Sequence, residues 1–201
     1  MFGVRFGRPL AFLLFCGWPA PPTNFDIMHP RTNELIQYID QQAATLRAAF
    51  DAVPAEYRAV RPAANRWSPA EVVHHVVIVE GMVTGLLRGL IETARSVGPE
   101  HDESSILAIV KPERFVRRER RIVTNERSEP RDTNTGSVWT EFESTRRSLK
   151  DVIASGDGLA LNEVSAPHPA LGPLTGYGWI AFLGAHAARH ADQIREMGRA
   201  D

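Results

Sequence analysis

Along most of the chain, apolar positions recur at three- and four-residue steps, the repeat of one face of an α-helix. Leu35, Ile39, Leu46, Phe50 and Val53 make the first such line. Thr32 or Asn33 can cap its start, and Pro54 ends or kinks it. The second line runs Val72, His75, Val76, Val79, Met82, Val83, Leu86 and Leu90. Ser68-Pro69-Ala70-Glu71 stands directly ahead of it: a capping serine, a proline at the first helical position and a glutamate at the third. The spacing predicts a helix from Pro69 to about Arg95. Trp139, Phe142, Arg146, Leu149, Val152 and Ile153 mark a third long helix from Val138 to Ala154, stopped by Gly156 and Gly158. Trp179, Phe182, Leu183, His186, His190, Ile194 and Met197 make the fourth line, with Thr175 as its cap.

The connections differ in kind. Residues 54–66 are rich in Pro, Ala and Arg. Residues 97–136 are irregular, with a short helix expected between Ser104 and Val110 ahead of Pro112. Within them, Lys111, Arg114, Arg117, Arg118, Arg120, Arg121, Arg127 and Arg131 face four glutamates. With no aromatic interleaving beyond Phe115, that stretch reads as a solvated crossing rather than an anion-binding patch. Pro167, Pro169 and Pro173 keep the segment before the last helix from being helical. No stretch shows the alternation of a half-buried strand, and no internal repeat is evident. Four amphipathic helices with buried stripes predict an all-α fold, a four-helix bundle with a long irregular connection between the second and third long helices.

Residues 1–27 break the pattern. Arg5 and Arg8 precede an apolar run from Leu10 to Trp18, followed by Pro19, Pro21 and Pro22. The run is too short for a bilayer, which needs about 20 residues. It fits the apolar part of a signal peptide, but bulky Trp18 spoils cleavage after Ala20. We read this segment as an atypical extension, with Met28 starting the functional domain over 28–201. That start implies a cytoplasmic protein, and a secreted one is the alternative.

Composition narrows the chemistry. A chain of 201 residues, 43% hydrophobic and 23% charged, is ordinary for one globular domain. Its formal charge of −1 gives no overall attraction to nucleic acid or an anionic membrane. A single cysteine, Cys16, excludes an internal disulfide and a cysteine-based zinc ribbon, so any metal must be held by nitrogen and oxygen. His186 and His190 lie one turn apart on the core-facing stripe of the last helix, where two imidazoles can converge on one point. On the second helix, periodicity selects His75 rather than His74 as the inward ring. Three neutral imidazoles suit Zn²⁺, Ni²⁺ or Fe²⁺ and leave a coordination position open, as catalytic sites require. Gln193, three residues after His190 on the same face, can accept a hydrogen bond from a ligand's second ring nitrogen.

Taken together, Trp67-Ser68 followed by Glu71, His75 and Glu80, then His168-Pro169 with Leu171-Gly172-Pro173-Leu174, Trp179, and His186-x-x-Arg189-His190-x-x-Gln193-Ile194, resemble the DinB-like (YfiT-like) superfamily. The resemblance covers roughly Glu34 to Met197. It implies a four-helix bundle holding a divalent metal with one histidine of the second helix and a His-x-x-x-His pair of the fourth: here His75, His186 and His190, the three that periodicity selects. It also implies a small-molecule substrate and, by family analogy, a homodimer. Relatives include S-transferases and isomerases that use mycothiol, bacillithiol or glutathione, so a low-molecular-weight thiol is a candidate cofactor.

Three readings follow. The first is a metal-dependent enzyme, a thiol-dependent S-transferase or small-molecule hydrolase whose catalytic residues are unknown. The second is a non-catalytic metal-binding bundle with a structural or stress-response role. The third is a core in which the three histidines simply hydrogen-bond and hold no metal. Glu80, five residues after His75, is turned about 140° from it round the helix and reads as a fold support rather than a base. His168 sits in a proline-rich turn placed to lie over the site, and reads as turn packing.

Overall fold

A computed structural model describes residues 28–97, 105–116, 126–130 and 136–197. It contains four long helices: α1 (Pro30–Asp51), α2 (Pro69–Thr93), α5 (Val138–Ser155) and α6 (Gly176–Met197). Two short ones, α3 (Ile106–Val110) and α4 (Glu113–Val116), lie between α2 and α5. A two-stranded antiparallel hairpin, β1 (Ser165–His168) and β2 (Gly172–Thr175), precedes α6. The reading of residues 1–27 as an extension lies outside the described residues, as does the middle of the basic crossing.

α6 is the centre of the packing. It lies against α1 along most of its length and against α2 on another side, while α2 also packs against α5. Its composition allows this, because Ala181, Ala185, Ala187 and Ala191 are all buried and small enough for close neighbours. Gly184 is the tightest point: a Cβ there would overlap the Tyr38 ring of α1. Phe50, Leu35, Ile39, Leu46, Leu149, Ile153, Ile180, Leu183 and Ile194 fill the core with almost no exposure. Leaving any of these as alanine costs about 2–5 kcal/mol, so the core sets helix positions firmly.

The helix ends follow their signals, with one exception. Ser68 Oγ accepts from Glu71 N at 3.2 Å while the Glu71 carboxylate accepts from Ser68 N at 2.8 Å, a closed capping box. Ser105 caps α3, and Thr175 Oγ1 accepts from Gly178 N at 3.1 Å at the start of α6. The cap of α1 is His29, not Thr32 or Asn33. Its ring accepts from Arg31 N, and its backbone N–H donates to Asp157. Thr32 is instead inside the first turn and donates its hydroxyl to Asp157, tying α1 to the end of α5.

Two further departures concern packing and the hairpin. On α2, Val72, His75, Val76 and Val83 are buried, but Met82 is 48% exposed and Leu86 and Leu90 only half-buried. Val79 and Met82 face an open cavity, and the sealed face turns toward α5 through Glu80, Thr84 and Leu87. The hairpin pairs Pro167 with Pro173 and His168 with Gly172. Neither proline can donate, so their pair occupies a position without ladder bonds. Gly172, at φ +77°, supplies the left-handed residue that closes the three-residue connection.

Among the described residues, only α2 is long and apolar enough to cross a membrane. It carries a buried ion pair, Glu80 Oε2 with Arg146 Nη2 at 2.6 Å, and lies between α5 and α6. That is the setting of a core helix, where a buried charge is tolerated only with a partner.

Candidate metal centre

His75 arrives on the buried stripe of α2, and His186 and His190 arrive on the face of α6 turned toward it. Their three Nε2 atoms converge. His186 Nε2 lies 3.3 Å from His75 Nε2 and 3.2 Å from His190 Nε2. One nitrogen from each ring falls within 4.8 Å of the others. For metal–nitrogen bonds near 2.0–2.1 Å and tetrahedral angles, ligand nitrogens stand about 3.3 Å apart, and both separations from His186 match that spacing.

The outer nitrogens explain the orientation of two rings. His75 Nδ1 is 2.6 Å from the carbonyl oxygen of Ser128, which can only accept, so the ring's proton is on Nδ1 and its lone pair on Nε2. His190 Nδ1 is 2.8 Å from Gln193 Oε1, which accepts in the same way. Lone pairs are thus aimed inward on both rings before any ion arrives. The buried Nδ1 of His186 has no hydrogen-bond partner. Burial, reinforced by His190 and His75, holds the His186 pKa well below its usual value, and burial also lowers that of His75. Neutral rings are the form that binds metal. Trp67 covers His75 with ring centroids 4.9 Å apart, and Phe182 lies beside His186 at 5.4 Å.

In front of the cluster opens a cavity of about 910 Å³. Its lining includes apolar Met82, Phe115, Leu171 and Phe182 and charged Arg66, Glu129, Arg189 and Glu196. No Cys, Asp or Glu offers an atom to the three-histidine cluster among the described residues. The donor set, three neutral imidazoles beside open space, fits Zn²⁺, Ni²⁺ or Fe²⁺ and not Ca²⁺ or Mg²⁺, which require oxygen. His74 is turned out of the cluster. Glu80 does not line the cavity; it is locked to Arg146, whose Nη1 also donates to the Ile39 carbonyl at 2.9 Å.

The sequence pattern misses Ser128 and Phe115, while the His168 turn does lie at the cavity. A backbone carbonyl leaves no mark in a sequence. His168 does pack the turn, its Nδ1 accepting from Ala170 N and Leu171 N, but it also lines the cavity.

The family model of the DinB superfamily matches residues 38–194, which include all three histidines and Gln193. The chain belongs to the DinB superfamily. It is also similar to the uncharacterized protein YuaE of Bacillus subtilis (strain 168), with 27% identity over 138 residues, 68% of this chain and 80% of YuaE. No solved structure matches the chain significantly.

Proposed function

We propose that residues 28–201 form a DinB-type four-helix bundle in which His75, His186 and His190 hold a divalent metal ion for catalysis on a small molecule. The observation that carries this is the convergence of three Nε2 atoms at 3.2–3.3 Å steps beside open space. Such an ion, when bound, lowers the pKa of a water or thiol beside it and so supplies a nucleophile at neutral pH. The chain's own residues do the rest. Ser128 and Gln193 hold two ligand rings in one tautomer. Trp67 and Phe182 keep bulk water off two of the rings. The apolar lining residues receive the body of the substrate, and Arg66, Arg189, Glu129 and Glu196 offer charges to a polar co-substrate.

The charged lining residues suit a charged thiol such as glutathione or bacillithiol, which favours thiol-dependent S-transfer over simple hydrolysis. The test is turnover of glutathione or bacillithiol with 1-chloro-2,4-dinitrobenzene by zinc- or nickel-loaded protein. Turnover that needs the metal and is lost in His186→Ala supports the reading. Protein that binds the ion, melts lower after chelation and yet turns over none of a thiol-plus-electrophile panel is a non-catalytic metal-binding bundle.

A further inference from the structure

His168 is held in a way that turn packing alone does not require. Its Nδ1 accepts from two backbone donors, Ala170 N at 3.1 Å and Leu171 N at 3.2 Å. Two N–H groups aimed at one ring nitrogen exclude a proton from it, so the ring's single proton is on Nε2. Burial lowers the His168 pKa, in keeping with a neutral ring. The ring plane is fixed as well. Its centroid lies 5.3 Å from Trp179 and 4.7 Å from Phe182, and Phe182 in turn is 5.4 Å from His186. Trp179 is anchored through Nε1 to the carbonyl of Ala166 at 3.3 Å, so the ring rests on a fixed neighbour. Nε2 has no hydrogen-bond partner among the described residues and is not a buried orphan. His168 lines the same cavity as the three-histidine cluster and packs on Trp179 and Phe182.

We propose that His168 is a specificity-determining hydrogen-bond donor: its Nε2–H receives a carbonyl oxygen of a ligand whose apolar body packs against Phe115, Leu171 and Phe182. A donor with a fixed tautomer, packed on Trp179 and Phe182, discriminates strongly for an acceptor at that point, because a ligand without one leaves the N–H unsatisfied on binding. The hairpin therefore does more than connect α5 to α6; it presents this donor to the cavity. The proposal rests on the reading of the cavity as a substrate site, and it specifies the class: apolar carbonyl compounds rather than plain hydrocarbons.

The experiment compares acetophenone with ethylbenzene, a pair differing at the acceptor oxygen, by tryptophan fluorescence titration and chemical-shift perturbation on the full chain with and without zinc. Wild type is expected to prefer acetophenone by about two- to tenfold after correction for their different solubilities in water. His168→Asn retains an acceptor where Nδ1 sits, so it keeps the turn but shortens the side chain before the donor; it should abolish the preference. His168→Gln places an amide N–H near the Nε2 position and loses the turn acceptor, so it should lower stability but retain the preference. A purely structural histidine gives the reverse pattern, with Asn preserving discrimination and any Gln effect equal for both compounds, and that result overturns the proposal. So does a wild type with no preference. If the protein holds no zinc yet the Asn–Gln contrast persists, the metal reading falls and the donor stands. If zinc binds and the contrast is absent, only the donor falls.

Discussion

Replacing Arg146 with methionine tests whether Glu80 supports the fold or serves the chemistry. Arg146 is 6% exposed and Glu80 1% exposed. The arginine makes two bonds, Nη2 to Glu80 Oε2 at 2.6 Å and Nη1 to the Ile39 carbonyl at 2.9 Å, so it joins α5 to both α2 and α1. Methionine fills the space of the alkyl stem but leaves the carboxylate without its cation. Breaking one side of such a pair costs about 3–5 kcal/mol, which at this chain length is a fall in Tm of roughly 10 °C. The carboxyl can escape part of the cost by protonation, so the loss should be smaller at pH 5 than at pH 8. Replacing both residues, Glu80→Met with Arg146→Met, removes the orphaned charge and should recover stability to within about 1 kcal/mol of wild type. Urea denaturation of the two single variants and the double variant at both pH values measures these differences. The double variant should also retain full metal content, since neither residue touches the cavity wall. An Arg146→Met variant within about 1 kcal/mol of wild type at pH 8 would show that the pair does not hold α5 to α2. A refolded double variant that holds metal but has lost all turnover would make Glu80 part of the chemistry.

The same carboxyl predicts a pH dependence. Burial, opposed by Arg146, pushes the Glu80 pKa up to about 7 from an ordinary 4.5. Between those values the folded chain binds more protons than the unfolded one, so Glu80's contribution is full below about pH 4.5 and declines as pH rises through 7, by up to about 3 kcal/mol. Urea midpoints at pH 5 and pH 8 read this decline, which Glu80→Gln should flatten; an unchanged slope in that variant contradicts it. Gly184→Ala places a methyl group in the Tyr38 ring and should destabilise by about 1–3 kcal/mol despite alanine's better helix propensity; a rise in Tm would show that α1 and α6 are not packed as described. Gln193→Ala removes the 2.8 Å bond to His190 Nδ1 and should weaken zinc binding about 10- to 100-fold in a competition titration with a chelating dye. Unchanged affinity there would mean that the bond does not orient the ring.

Much of this molecule is legible from side-chain period alone. The long helices fall where their stripes predict, because each stripe is continuous over several turns and backed by cap residues such as Ser68 and Thr175. His75, His186 and His190 are found for the same reason: a polar ring on an otherwise apolar face has to meet something inside. Arg146 sits on its helix's apolar stripe in the same fashion, and its partner could have been sought on a facing helix. Glu80 lies off the strongest line of α2, so only the turn of that helix toward α5 reveals it as buried. The hairpin is hidden because four-residue strands containing Pro167 and Pro173 are too short to show a period of two. His29 is not legible as a cap because histidine is rare in that role, and the Asp157 that holds it is distant in sequence. Ser128 acts through its carbonyl, which every residue possesses.

Three imidazoles from α2 and α6 are placed to close on one ion. The direct test is metal content and zinc affinity of untagged protein, measured by mass spectrometry of bound metals and competition titration, for wild type, His74→Ala and His186→Ala. About one ion per chain is expected in wild type and in His74→Ala, with loss of binding in His186→Ala while the fold stays intact by circular dichroism. Wild-type protein that takes up no zinc, nickel or iron at neutral pH, or a His186→Ala variant that binds as tightly as wild type, would contradict it.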